Sequence, residues 1–506
     1  MAPGTRIIVN TLVQYMKAVI TTFISLYSVR VVLEALTKSD YGLFMAIAGV
    51  VTMLGFITNS LIVTTQRYIS VLHGKGNIDN VRLLYQNSMF LHLIIGLLMV
   101  AFLSLLEPWL VGRVLTIPDD RMETATGVYF VMTIVLFLTV INAPLKALFI
   151  ARENITFIAI VEVVDSLLKL CVALSLLALS ADRLLVYSWA LAGVQALNFF
   201  AFLIYAIRYF PECTLRFRRA DVDWKIVRQL TDFAGWTTYG MGAVAARAQG
   251  IAVLLNHFFG TVINAAYGIA LQLYMGVSIV VTSVFNAMNP QIMKAEGEGD
   301  RRRMLLMAGR ESKYSLSLML IVTIPIMLEQ EGILALWLKD VPENTVVFCR
   351  FILISFLFDL LTLGLNTAVQ AIGRMKEYTL IMYTPKLLTL PIAWVILEFT
   401  GNVVAVMWVY ILIELLMAIV RLIYTHLNYS LDIGEYTRLV LLPALGLTSI
   451  MLIVGVGCMQ LPASAARIGL TFVGCGLTGT LFAWHVCLHE SERQHILSLA
   501  RKVLNR

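Results

Sequence analysis

Ile8–Leu33 reads IVNTLVQYMKAVITTFISLYSVRVVL, an apolar stretch long enough to cross a hydrocarbon core of about 30 Å as a helix. Its interior carries Asn10, Gln14, Lys17, Thr21, Ser25 and Ser28 at spacings of three and four, so one face of the helix is polar from end to end. Such a face lines water or packs against polar neighbours. Outward from it, fourteen stretches of this kind are predicted as helical spans: 8–33, 41–65, 86–106, 125–150, 156–180, 184–207, 230–256, 263–288, 312–329, 346–371, 378–399, 402–427, 438–460 and 467–488.

Composition agrees. Of 506 residues 59% are apolar and 14% charged, against about 25% charged in a typical soluble domain. The chain reads as an all-α polytopic membrane protein, and the longest gap between spans, 208–229, is too short for a nucleotide-binding or catalytic module with its own core. Any function is therefore built from membrane helices. The first span reads as a retained helix rather than a cleaved signal, and the six cysteines, with no CxxC spacing, read as core residues.

Lys and Arg crowd into one set of loops and the tails, whereas the alternate loops hold only Lys38, Arg113, Arg121, Arg183, Lys339 and Arg467. This asymmetry orients both termini to the cytoplasm. The net charge of +7 is mostly that orientation signal; the charges are scattered over short loops without an aromatic recognition face, which argues against nucleic-acid binding. After Glu490, Ile496, Leu499, Ala500 and Val503 fall at helical spacing opposite Arg493, Arg501 and Lys502, as in an interfacial helix.

The chain also repeats itself. Tyr41-Gly42 matches Tyr267-Gly268, Gln66 matches Gln291, Gly74-Lys75-Gly76-Asn77 matches Gly297-Glu298-Gly299-Asp300, and Leu106-Glu107 matches Leu328-Glu329. Ile117-Pro118-Asp119 then matches Val341-Pro342-Glu343, and Ala151-Arg152 matches Gly373-Arg374, all at a separation of about 222 to 226 residues. The expected architecture is two pseudo-two-fold-related six-helix lobes plus two C-terminal helices: 1–207, a linker at 208–229, 230–427, and 428–506 with the last two spans and the tail.

Charges at membrane depth cost roughly 2.5 to 3.5 kcal/mol each on insertion scales, so each needs a partner, a route to the interface or water. Arg30 and Arg350 lie near an outer boundary and can snorkel. In the fifth span Glu162, Asp165 and Lys169 form either an internal pair or a functional cluster, Asp165 and Lys169 being one helical turn apart. Lys17, Arg247 and Lys386 have no carboxylate three or four residues away. Two readings stay open for them: cations lining one aqueous cavity from repeat-related helices, or ion pairs with Asp359 and Glu414. A kink is expected at Pro385, beside Lys386. Ser355, Asp359, Thr362, Asn366 and Gln370 form a second polar stripe in the tenth span, and Asn286 adds to a smaller one in the eighth. Asp359, Glu414 and Asp165 are the candidates for coupling to a proton or sodium ion.

The sequence holds no GxxxxGK[ST] and no HExxH; His485, Cys487 and His489 read as a helix end, and Asp119-Asp120 as a loop turn. No cofactor and no resident metal are expected.

Asn10-Thr11-Leu12, Ser25-Leu26-Tyr27, Arg30-Val31-Val32-Leu33, Asp40-Tyr41-Gly42 and TTQRYISVLHGKGN from Thr64 to Asn77 resemble the Wzx-type polysaccharide or O-antigen branch of the multidrug/oligosaccharidyl-lipid/polysaccharide flippase superfamily. The resemblance implies a pair of lobes that alternates between inward-open and outward-open forms in the bacterial inner membrane. It implies as cargo an undecaprenyl-pyrophosphate-linked oligosaccharide, with glycan polymerase or export machinery as partners and the prenyl tail left in the lipid bilayer. Lys17, Arg247, Lys386 and Arg30 would then hold the pyrophosphate. The drug-exporting branch is the alternative, although its lobe-one coupling usually needs an acid in the first span, where this chain has Lys17 and no acid before Glu34 at the outer end; an integral-membrane glycan polymerase or ligase is the second.

Overall fold

In the computed structural model the described residues, 3–36, 38–76, 78–114, 117, 119–178, 182–213, 222–338, 341–488 and 493–494, are helical almost throughout, and no strand occurs among them. They divide into two compact units, Leu12–Met241 and Gly242–Arg506 together with Met1–Thr11. Tail positions Ile496, Leu499, Ala500, Arg501, Lys502 and Val503, and linker positions 214–221, lie outside the described residues.

The first unit is built from α1 (Pro3–Ala35) beyond Thr11, α2 (Lys38–Met53), α3 (Gly55–Gly74), α4 (Ile78–Trp109), α5 (Met122–Ala151), α6 (Ile155–Leu176), α7 (Arg183–Tyr209) and the start of the helix that follows, up to Met241. Helix α5 is its hub, with α2, α3, α4 and α7 packed around it. It can be central because apolar side chains leave it in every direction: Val128, Val131, Val140, Leu145 and Leu148 are all fully buried. At one end Arg121 ties α2 to α7 through Asp40, at 2.7 Å, and Asp182, at 3.3 Å.

The second unit contains most of α8 (Trp224–Gly297), then α9 (Arg301–Leu328), α10 (Gln330–Trp337), α11 (Thr345–Leu360), α12 (Leu363–Ile372), α13 (Met375–Thr400), α14 (Val403–Tyr429), α15 (Ile433–Tyr436), α16 (Leu442–Met459) and α17 (Ala465–Phe482). Helix α9 is the hub, carrying α11, α12, α16 and α17. The 74-residue α8 would be about 110 Å long if straight. It doubles back instead: the Tyr267 hydroxyl donates to the Ala248 carbonyl at 3.5 Å, a contact that about 28 Å of straight helix would forbid. The two passes match the spans expected at 230–256 and 263–288.

Among the described residues, each of the fourteen expected spans falls on chain that is mainly helical. Among the described residues nine helices are long and apolar enough to cross a membrane, ten if α11 and α12 count as one broken span. Helix α6, with Glu162, Asp165 and Lys169, is outside the nine. The repeat is visible at its turns: Gly76 and Gly299, matched in sequence, end α3 and α8 with φ of +69° and +82°, a conformation that side chains disfavour.

Two spans depart from the sequence reading. The second is divided at Leu54 into α2 and α3. The tenth, read as one straight helix over 346–371, breaks after Leu360, and α11 and α12 meet at 45°. No proline causes the break. Donors from other helices satisfy the carbonyls it frees: Arg421 on α14 donates to Asp359 O at 3.4 Å, and the Tyr436 hydroxyl to Leu361 O at 2.7 Å. Conversely, α13 runs helically through Pro385 and Pro391, so the expected kink does not interrupt it.

After the break, α12 lies on α9 with backbone touching backbone. A Cβ at Gly364 would fall on the Ala308 carbonyl oxygen, and the Gly364 N–H donates to Ser312 Oγ at 2.9 Å. Because the obstacle is main chain, Gly364→Val is expected to cost about 1 to 3 kcal/mol or more, read as a lowered Tm of the purified protein; an unchanged Tm would mean that α12 is not seated this way.

Beyond α7, the fully buried Glu212 accepts from His73 at 3.0 Å and from Arg152. Burial alone would raise its carboxyl, but these hydrogen bonds override it and hold the pKa down at about 2. A carboxyl depressed on folding stabilises the protein above its unfolded pKa, and that contribution disappears as pH falls from about 4.5 to about 2. Glu212→Gln should lower Tm at neutral pH and flatten its fall across that window; parallel Tm curves for the two proteins would refute the tie.

Candidate functional site

Each unit contains a network of charged side chains on membrane helices. In the first, one carboxylate serves two lysines. Glu162 on α6 lies 2.7 Å from Lys17 on α1 through Oε2, and 2.7 Å from Lys146 on α5 through Oε1. One turn along α6, Asp165 pairs with Lys169 at 2.8 Å and accepts from Asn198 of α7 at 2.6 Å. The spacing argument for Asp165 and Lys169 thus matches the geometry, while Glu162 leaves its own helix to meet Lys17.

The second network is deeper and larger. Arg247 on α8 donates to Glu414 Oε1 at 2.6 Å and to the Tyr410 hydroxyl at 2.9 Å, both on α14, and stacks over the Tyr410 ring at 4.0 Å. Lys386 on α13 lies 2.8 Å from Glu414 Oε2 and 3.6 Å from Asp359. Asp359, at the end of α11, also receives Arg421 at 3.1 Å, and Arg421 donates to Thr362 Oγ1 at 3.0 Å. Arg247, Lys386, Arg421 and Glu414 are each at most 4% exposed, while Asp359 retains 30%. Desolvating so many charges costs several kcal/mol per ion unless each is paired, and pairing is what the geometry supplies.

Of the isolated cations, Arg247 pairs with Glu414 and Lys386 with Glu414 and Asp359, and both cations are buried. Lys17, 20% exposed, has a partner in Glu162 that the sequence assigned to Lys169's cluster. Two residues were missed because sequence position places them among the orienting loop cations: Lys146, and Arg421, which is 2% exposed and lies well inside α14. Its i−4 and i−3 neighbours, Met417 and Ala418, gave no signal; the carboxylate comes from another helix.

Around these networks the polar stripes divide. Gln14 is buried, Thr21 and Ser28 donate back to Lys17 O and Ile24 O of their own helix, and Ser25 is exposed. Asn366 accepts from the Tyr378 hydroxyl at 3.0 Å, and Asn286 is half-buried. The side chains of Asn10 and Arg30 lie outside the described residues. Among the described residues no group of His, Cys, Asp and Glu could hold a metal ion.

Both networks retain positive charge: two lysines against one carboxylate in the first, three cations against two carboxylates in the second. In the second, Arg247 Nε and Nη1 and Arg421 Nε are buried without a hydrogen-bond partner. They belong to guanidinium groups, whose planar fork of donors matches the geometry of carboxylate and phosphate oxygens.

No protein-family model matches the sequence, and no curated protein does. Solved structures do match in fold. A multidrug resistance MATE family transporter of the MOP superfamily in an outward-facing conformation superposes with TM-score 0.72 at 15% identity, covering 85% of this chain and 96% of that one. A MATE transporter in its bent conformation gives 0.74 at 14% identity over the same shares. A MOP superfamily transporter from Pyrococcus furiosus Vc1, described as having a binding pocket of reversed polarity that suggests a different function, gives 0.72 at 14%, also over those shares. The chain has the fold of these transporters.

The pairing makes an asymmetric prediction. Glu414→Gln leaves Arg247 and Lys386 sharing only the more distant Asp359, and is expected to destabilise by about 3 to 5 kcal/mol. Lys386→Met leaves Arg247–Glu414 and Arg421–Asp359 as complete pairs and should cost far less. Denaturation of both variants in detergent checks this, and equal losses would contradict the network.

Proposed function

We propose that the chain is a membrane transporter that moves an anionic lipid-linked glycan, of the undecaprenyl-pyrophosphate class, across the bacterial cytoplasmic membrane by alternating access, with both termini cytoplasmic. The observation that carries the charge of the cargo is the surplus of cations over carboxylates in each network, together with the unpartnered nitrogens of Arg247 and Arg421. A pyrophosphate supplies the missing counter-charge, and a fold of membrane helices leaves a prenyl tail in lipid throughout. Glycan polymerase and export machinery are the partners this cargo entails.

A second reading, a cation-coupled multidrug exporter, is favoured by a different observation: solved neighbours of this fold are described as multidrug resistance MATE transporters. On fold likeness alone that reading has more behind it. Charge weighs the other way, since a network with surplus cations repels a cationic drug, and a neighbour with a pocket of reversed polarity has the same fold. Asp359, still 30% exposed, is the acid through which coupling to a proton or sodium ion would run in either case.

The discriminating protein is the double variant Lys17→Met, Lys386→Met, in which every remaining charge of both networks is paired. Its insertion and Tm should stay near wild type, while translocation of a pyrophosphate-linked oligosaccharide into proteoliposomes falls at least about tenfold, the factor for 1.4 kcal/mol of lost binding. Wild-type glycan translocation by that variant, or efflux of a cationic dye as the activity it impairs, would select the exporter.

A further inference from the structure

One buried acid has no part in either network. Glu311 lies on α9, about 15 Å along the helix from Arg301, with a fully buried side chain. Neither carboxylate oxygen has a hydrogen-bond partner. Nor does a cation reach it. Of the elements packed on α9, α12 and α16 carry no charge. Arg467 of α17 and Glu331 of α10 pair with Glu329 and Arg350 beyond the opposite end of α9. Asp359 of α11 is held by Lys386 and Arg421. Arg438 and His485 are exposed, and the Tyr436 hydroxyl donates to Leu361 O. On α9 itself, Arg310 and Lys313 flank Glu311 in sequence and have contacts of their own, Lys313 lying over the Tyr314 ring at 5.1 Å.

What surrounds Glu311 is neutral and equally unsatisfied. Thr367 on α12 and Ser315 on α9 are fully buried, and their hydroxyls have no partner. Thr367 lies three residues beyond Gly364, and Glu311 three beyond Ala308, so both are one turn from the backbone contact that seals the α9–α12 seam. An ionised carboxylate here would be stripped of water with nothing to offset the loss. The same group carrying a proton is neutral and has a donor to offer to either hydroxyl. The fold does not demand an acid at this place: counted back by the repeat, the corresponding position in the first unit is Ser88, hydrogen-bonded to Thr65 at 2.7 Å.

We propose that Glu311 is a proton-binding site controlled by the α9–α12 seam, protonated while α12 is docked on α9 and deprotonated when α12 swings away about the break at Leu361–Thr362 and water reaches the carboxyl. Each opening then releases one proton and each closing takes one up. In a transporter, a proton bound in one conformation and released in another makes the conformational equilibrium depend on pH; this consequence rests on the transporter reading, whereas the site itself does not.

The test uses the full chain in lipid nanodiscs. Infrared difference spectra between wild type and Glu311→Gln at neutral pH should show the carbonyl stretch of a protonated carboxylic acid in the wild type, lost in the variant. In a background without the native cysteines, Thr367→Cys should react with a maleimide at a rate that rises, over and above the pH dependence of the thiol itself, by up to about a further tenfold per pH unit, the dependence of one released proton. Adding Glu311→Gln should leave only the pH dependence of the thiol itself, with the seam closed and slow to label. Absence of the acid band, or the same pH dependence with glutamine at 311, would overturn the proposal. If Glu311→Gln does not fold, the acid band alone decides, read in the wild type as its loss between neutral and alkaline pH. Failure of transport with the band and labelling as described would reject the transporter reading and leave the site standing.

Discussion

Placing charge among membrane helices is the constraint on which this structure turns. Eight charged side chains, Lys17, Lys146, Glu162, Arg247, Asp359, Lys386, Glu414 and Arg421, are held in two networks, and each carboxylate is shared between cations from two different helices. Glu162 thereby fixes α1 and α5 against α6; Glu414 fixes α8 and α13 against α14. Breaking such a bridge strands the remaining charge, so the networks organise helix packing as well as any binding they perform.

Asp359 does one thing more. Its cation Arg421 also donates to the backbone carbonyl of Asp359 and to Thr362, at the point where the tenth span breaks. A membrane helix can be interrupted only where other groups take over its hydrogen bonds. The charge network and the bend at α11–α12 are thus one device. The docking of α12 that follows from it brings Gly364 onto Ala308 and encloses Glu311, so the acid with no counter-charge is adjacent, through one short helix, to the acids that have two.

Much of this was legible in the sequence. Fourteen apolar stretches, their repeat at about 222 to 226 residues and the loop asymmetry follow from composition and spacing alone, and helix is found at each stretch. The odd positions of Lys17, Arg247, Lys386, Asp359 and Glu414 were equally plain, because a charge in an apolar run is conspicuous. Their pairing was not: spacing along one helix reveals Asp165 with Lys169, but Lys17 with Glu162 and Arg421 with Asp359 are contacts between residues 145 and 62 positions apart. Arg421 and Lys146 were disguised as loop charges, and Glu311 sat at the edge of its span beside Arg310 and Lys313, where an acid looks ordinary. The break in the tenth span had no proline to announce it, since its cause is a set of donors from α14 and α15.

The central claim is that surplus positive charge in these networks is matched to an anionic cargo. It is tested most directly by ligand-dependent stability of the unmodified protein, since a ligand at about a hundred times its Kd stabilises the folded state by about 2.7 kcal/mol. A prenyl pyrophosphate should raise the Tm of the purified chain, with the rise shrinking as salt increases, while a cationic dye at the same concentration leaves it unchanged. Stabilisation by the cationic dye with indifference to the pyrophosphate would contradict the account.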